Sequence, residues 1–336
     1  MKTIARAAGL VAAAAFTTGA LAQQQPQFTM KLSAPTVNDM NIEYMKAMKA
    51  GIEPRTNGRI KVELYPANQL GQIPRTVEGV ALGTIEMTLV ASGFFIGIDP
   101  RYLVFDAAGL FDDMDHGNRV FQDPEIRKRL SQFSADKGIE PLIVYNANPN
   151  MVLSHKPIRT LADFKGQKIR VPGAAPLQVE PFKHFGTSAL SMPLGEVLPA
   201  MQNHTIDGAV AGLTVFPGFK YFDVAKGMTY LPGSYLILVG GVSRSFMKNI
   251  GPDLEKIVRE VSRDAEKLFF TWLPDDVERA KKTWASNGGE IITLSAADQK
   301  RFVEDVTKVT ESIVAGQPAI KAEYDALRAA ARRHRK

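Results

Sequence analysis

The run Lys165-Gly166-Gln167-Lys168-Ile169-Arg170-Val171-Pro172-Gly173 decides the reading of this chain. Gly166-Gln167 makes a turn, Lys168 to Val171 is a short strand, and Pro172-Gly173 ends it and redirects the backbone. One guanidinium is left at a strand end. In an α/β domain the loops at the carboxyl ends of strands converge on a crevice where ligands are held. Arginine offers there a fixed fork of donors that matches a carboxylate bidentately, which lysine does not reproduce. Taken alone, Arg170 reads better as a surface arginine in a salt bridge.

Outward from this strand the chain alternates. Phe28 to Ala34 reads as a strand, and Asn38 or Asp39 caps a helix with Ile42, Met45, Met48 and Ile52 on one face. Ile60, Val62 and Leu64 alternate with polar neighbours as a strand, a helix closes at Gly83, and Met87 to Ala91 is a continuous apolar strand. Such alternation of strands and helices builds a parallel or mixed sheet covered by helices. Asp112 to Asp115 reads as helix-start chemistry. Glu140 to Asn146 is a strand leading to a crossover near Asn146 to Asn150. The pattern then restarts with strand 168–171, helix 176–186, strand 189–192, helix 196–203 and strand 206–210, so two αβ units in series predict two lobes. After a strand from Tyr235 to Ser243, Pro252 to Trp272 carries an apolar stripe over five turns. Pro274 should kink or break that helix. A strand at 290–294, a helix capped by Ser295 and a terminal helix from Ala319 complete the chain.

Lys2 and Arg6, the apolar stretch Gly9 to Ala15 and the small residues Ala20-Leu21-Ala22 together read as a signal peptide over residues 1–22. The exported chain is then periplasmic, with 314 residues, room for two cores. Without Lys2 and Arg6, 39 basic face 35 acidic side chains, a formal charge of +4. Such a mild surplus, with no basic run interleaved with aromatics, does not point to nucleic acid. The basic residues from 331 to 336 read as a solvated, frayed tail. No cysteine is present, which excludes disulfides and thiolate chemistry. His116, His155, His184, His204 and His334 are scattered without ligand spacing, and no phosphate-binding or nucleophile-elbow pattern occurs. No metal, cofactor or catalytic residue is expected.

The text from Pro157 to Pro172 closely resembles the signature of the solute receptors of tripartite ATP-independent periplasmic (TRAP) transporters, of the dicarboxylate-receptor (DctP) type. Met192-Pro193-Leu194-Gly195-Glu196-Val197, Ile206-Asp207-Gly208 and, earlier, Tyr65-Pro66-Ala67-Asn68-Gln69-Leu70-Gly71 resemble further motifs of that family, in order. The resemblance implies an α/β, type II-like, two-lobed periplasmic binding protein in which each lobe is a mixed sheet flanked by helices and a long kinked helix spans both. Lobe 1 would take residues 27–147 and about 236–275, and lobe 2 residues 148–235 and about 276–330. It further implies that Arg170 grips a ligand carboxylate, and that the partner is a permease with two integral membrane components driven by an ion gradient.

Two departures shape the ligand expectation. Asn150 stands where many receptors of this family have a second arginine, with Asn148 as a near alternative, and Ala211 replaces a typical asparagine. Both losses favour a monocarboxylate, aromatic or branched, over a dicarboxylate or a sugar acid. Ser92, Gly93 and Phe94 after a buried strand, Thr36 and Asn38 after the first strand, and Pro172 beside Arg170 are expected to face the cleft. Phe216 and Tyr235 are candidate aromatic walls. Asp207 and Glu196 read as structural, tying a turn and starting a helix. Two rival functions fit the same fold: a ligand-presenting subunit for a sensor kinase, and a periplasmic lyase or isomerase, which would need a general base beside Arg170.

Overall fold

The computed structural model describes residues 25–173 and 175–336; the signal-peptide reading of residues 1–22 lies outside the described residues. Nine strands form one mixed sheet in the order β2-β1-β3-β8-β4-β7-β5-β6, with β9 pairing β8. The strands are β1 (Phe28–Ser33), β2 (Ile60–Tyr65), β3 (Met87–Ala91), β4 (Ile139–Ser154), β5 (Lys168–Val171), β6 (Ser188–Ser191), β7 (Gly208–Gly212), β8 (Gly227–Ser243) and β9 (Glu290–Ile292). β1, β2 and β3 are parallel to one another and belong to the first lobe, while β5, β6 and β7 repeat that arrangement in the second.

β4 and β8 are far longer than the sequence punctuation suggests, because Asn148-Pro149-Asn150 stays extended instead of ending the strand. They run antiparallel from Ile139 opposite Ser243 to Ser154 opposite Gly227. β3 flanks β8 over Leu238 to Val242, and β7 flanks β4 over Asn150 to Ser154, so this pair carries the sheet from one lobe to the other. Two of its register shifts fall at Asn146/Asn148 and Pro149/Met151. Pro149 has no N–H for a ladder bond, and bulges bend a strand where pairing is lost.

Helices cover both faces: α1 (Met40–Arg55), α2 (Ile73–Leu82), α3 (Met114–Phe121), α4 (Pro124–Leu130), α5 (Pro176–His184), α6 (Leu194–Gln202), α7 (Val215–Gly218), α8 (Arg244–Ile250), α9 (Pro252–Ala265), α10 (Leu268–Ser286), α11 (Ala296–Ala315) and α12 (Pro318–His334). Several begin as the sequence predicts. The Asp39 carboxylate accepts from Asn41 N, that of Asp113 from His116 N, and the Ser295 hydroxyl from Asp298 N, each satisfying an otherwise orphaned amide.

Pro274 lies inside α10, and the break expected there falls instead at Glu266–Lys267, between α9 and α10. The carbonyl that the Pro274 ring crowds is that of Phe270, inside α10, so the break lies about a turn further upstream than proline chemistry alone would place it. Phe269 N and Phe270 N bond three residues back, to Glu266 O and Lys267 O, tightening the turn there. Past this turn, α10 joins the two lobes. Phe269 and Leu273 pack in the first-lobe core with Tyr145 and α1, whereas Val277, Ala280 and Trp284 pack in the second-lobe core with Phe216 and Tyr221.

The C-terminus is not frayed. α12 continues to His334 and buries Ile320, Tyr324, Leu327, Ala330 and Ala331 against first-lobe residues. Arg333 and His334 reach Asp123 at 3.0 and 2.9 Å, and Arg335 reaches Asp112 at 3.1 Å. The basic residues thus find acidic partners at the starts of α4 and α3.

Candidate functional site

Arg170 is the third residue of β5, between β6 and β7, and its side chain is 2% exposed. Its position follows from the turn before it: Gly166 takes φ 79°, a left-handed conformation that costs glycine little. Asp207 ties the strand start by accepting from Lys168 N at 2.7 Å, the structural role read from the sequence. The guanidinium donates through Nε to Met192 O at 2.8 Å and through Nη1 to Val210 O at 2.9 Å. These two carbonyls fix its plane. No carboxylate lies within ion-pair distance among the described residues. Burial lowers its pKa to about 10, with Tyr221 opposing slightly, so Arg170 is a cation at neutral pH without a countercharge.

Arg170 faces a small chamber between the lobes. Its wall is largely apolar: Ile73, Phe94, Leu194, Val215, Leu236 and Leu238, with Ala211 in the position discussed above. The polar residues are Thr36, Asp39, Asn41 and Asn148. Asn148 is committed to the protein, its Nδ2 donating to Thr214 Oγ1 at 3.1 Å and its Oδ1 accepting from Thr214 N. Asp39 accepts from Thr36 Oγ1 at 2.9 Å, and Asn41 accepts from Tyr145 Oη at 2.7 Å. Burial pushes the Asp39 carboxyl up to about 6, with some help from Asp276.

A second small chamber shares Pro172 and Leu236 with the first. Asn150, Ser234, Tyr235, Asp106 and Gln178 supply its polar groups.

The structure brings together Arg170, Pro172, Thr36, Phe94 and Asn148 around the first chamber, and Asn150 and Tyr235 around the second. Tyr235 Oη donates to Asp112 O at 2.8 Å. Three expectations are corrected. Asn38 is exposed and lines neither chamber, because the cap position and the inward face both fall to its neighbour Asp39. Phe216 is a core residue 1% exposed, packed edge-on against Tyr221 at 5.4 Å and near Trp284, since α7 turns it inward. Ser92 and Gly93 are buried behind the wall: Ser92 donates to Asp106 and Gly93 abuts Gly173. Sequence reasoning missed Asp39 and Asn41 as lining residues, and Asp106 and Gln178 altogether. An acid inside the apolar run from Phe105 to Phe111 is the signal that could have found Asp106.

Two lobes joined by a strand pair and a shared helix, with an unpaired buried cation in the cleft, define a ligand-binding receptor. Residues 33–317 match the family model for bacterial extracellular solute-binding proteins, family 7. The chain belongs to that family, the DctP-type solute-binding proteins of TRAP transporters. It is 26% identical over 305 residues to the 2,3-diketo-L-gulonate-binding periplasmic protein YiaO of Escherichia coli, covering 90% of each chain. It is 30% identical over 331 residues to a solute-binding protein of Roseobacter denitrificans, covering 93% of this chain and 99% of that one. In fold it is similar to a TRAP periplasmic solute-binding protein from Desulfovibrio salexigens with bound orotic acid, at a TM-score of 0.85 and 22% identity, covering 91% of this chain and 99% of that one.

Proposed function

We propose that this protein captures an organic monocarboxylate with an apolar body in the periplasm and hands it to the membrane components of a TRAP transporter. The observation that carries the reading is Arg170, a buried guanidinium held by two backbone carbonyls and facing an apolar chamber without an acidic partner. An isolated buried charge is costly, and a ligand carboxylate supplies the missing partner. Charge-assisted hydrogen bonds of that kind contribute about 1.5–3 kcal/mol each. The apolar wall accepts the rest of the molecule, and closure of the lobes removes water from the ion pair and strengthens it. 2,3-Diketo-L-gulonate and orotic acid, named for two proteins to which this chain is similar, are both organic acids, which supports a carboxylate on the ligand; the apolar body rests on the chamber wall alone. No covalent step is required of the site.

A thermal-shift screen of residues 23–336 against mono-, di- and keto-carboxylates, with Arg170→Ala alongside, tests the reading. Ligand at 100 times its Kd adds about 2.7 kcal/mol of stability. Monocarboxylates should raise the melting temperature of the wild type and leave the variant unmoved. An equal response of the variant removes Arg170 as the anchor, and far tighter binding of a dicarboxylate overturns the monocarboxylate assignment.

A further inference from the structure

The second chamber contains two acceptors that the described residues leave unused. Asp106 ends the 3₁₀ helix Pro100–Asp106, and its Oδ1 accepts from Ser92 Oγ at 3.1 Å and from Gln178 Nε2 at 2.8 Å. Its Oδ2 is buried and has no partner among the described residues. Asn150 donates through Nδ2 to Ser234 Oγ at 3.0 Å, and its Oδ1 is likewise buried without a partner. Both residues line the same space, and among the described residues no lysine, arginine or histidine lines it with them. Buried acceptors are almost always satisfied in folded proteins, and two such orphans in one cavity need a donor from outside the chain.

The chambers are neighbours, since Pro172 and Leu236 form part of both walls, and Val210, whose carbonyl holds Arg170, lines the second. We propose that the second chamber is a subsite for the far end of the ligand, and that Asp106 Oδ2 and Asn150 Oδ1 there recognise a hydrogen-bond donor, a hydroxyl or an ammonium group. The solute is then a monocarboxylate with an apolar middle and a donor-bearing end. This assignment rests on the Arg170 reading, which sets where the carboxylate lies. Burial pushes the Asp106 carboxyl up to about 7, so the assay belongs at pH 8, where the ionised group offers acceptors only. A site built to bond a donor rejects the analogue that lacks it, because its own groups are left unpaired.

The test measures dissociation constants by calorimetry at pH 8 for butyrate, hexanoate and octanoate and for the ω-hydroxy and ω-amino derivative of each. At one chain length at least, the wild type should bind a donor-bearing acid about tenfold or more tightly than its plain counterpart. The derivative with the larger advantage identifies hydroxyl or ammonium as the preferred end. Asp106→Asn keeps the shape but sets an amide NH₂ in place of Oδ2, turning an acceptor into a donor. The advantage should collapse there to within about twofold, and Asn150→Leu, checked for folding by its melting curve, should reduce it independently. Equal affinities at all three lengths, or an advantage that survives both substitutions, overturn the subsite while leaving Arg170 in place. Failure of all nine acids to bind the wild type overturns both readings together.

Discussion

Gly93 and Gly173 meet backbone to backbone across the boundary between the lobes: a methyl group on Gly173 would stand 3.0 Å from Gly93 Cα and 3.1 Å from its carbonyl carbon. Gly93 follows β3 and Gly173 follows β5, so the contact forms only when the two lobes come together. Gln178 completes it, accepting from Gly173 N and donating to Asp106. Overpacking of such a contact costs about 1–3 kcal/mol. Gly173→Ala should therefore weaken ligand binding by about tenfold or more, chiefly through faster release, with an unchanged circular dichroism spectrum. Wild-type affinity in this variant would show that closure does not use the contact.

Stability should fall as pH rises from 5 to 8. Asp39 and Asp276 are pushed up to about 6 and Asp106 to about 7 from an ordinary value of 3.8, in each case mainly by burial. Each holds its proton more tightly folded than unfolded. The stability this adds is complete below the unfolded value and is lost as pH rises through 6 and 7. The depressed carboxyls, such as Asp123 at about 2, act only below this window. At about 1.4 kcal/mol per unit for each group, the ligand-free protein should lose roughly 5 kcal/mol between pH 5 and 8, about half of it from Asp106. Asp276→Asn should flatten the dependence measured by chemical denaturation, and an identical slope in the variant would refute the assignment.

The floor of the Arg170 chamber rests on a buried chain of hydrogen bonds. Tyr145 Oη donates to Asn41 Oδ1 at 2.7 Å, Asn41 Nδ2 reaches Thr36 Oγ1 at 3.1 Å, and Thr36 Oγ1 reaches Asp39 at 2.9 Å. Tyr145 is in turn clamped flat on Phe269 of α10, with ring centroids 4.4 Å apart. Tyr145→Phe preserves the stack and leaves Asn41 Oδ1 without its donor, which should cost about 1–3 kcal/mol in urea unfolding. A loss below a few tenths would mean that another group takes over the bond.

Removing residues 332–336 should cost little. Arg333 and Arg335 are about half exposed, and pairs of that kind contribute about 1 kcal/mol or less. The loss should shrink further in 1 M salt, where screening is short-ranged. A drop of several kcal/mol would show instead that the last turn anchors the whole helix.

What could be read from the sequence was local. The turn, strand and proline around Arg170 are contiguous, and the periodicity of α1, α9 and α11 lies within each helix. Relations across the chain were not readable. Arg333 and His334 find Asp123 across 210 and 211 positions, which no terminal composition reveals. Phe216 could have faced ligand or core, because an aromatic buries its area equally well in either. Asn150 follows Asn148 by two residues on one strand, and period-2 alternation would place both in one chamber. The register shift at Pro149/Met151 falls beside them, and they line different ones.

The paired strands β4 and β8 also govern how this molecule answers force and heat. Because they run through both halves, neither half can come apart without tearing ladder bonds that the other needs. Heating should therefore produce one melting event, and solute held at the cleft should register as a shift of that whole transition. Bending is the motion the ribbon permits, concentrated where its ladder is interrupted, so the protein behaves as a sprung clasp whose spring is its own sheet.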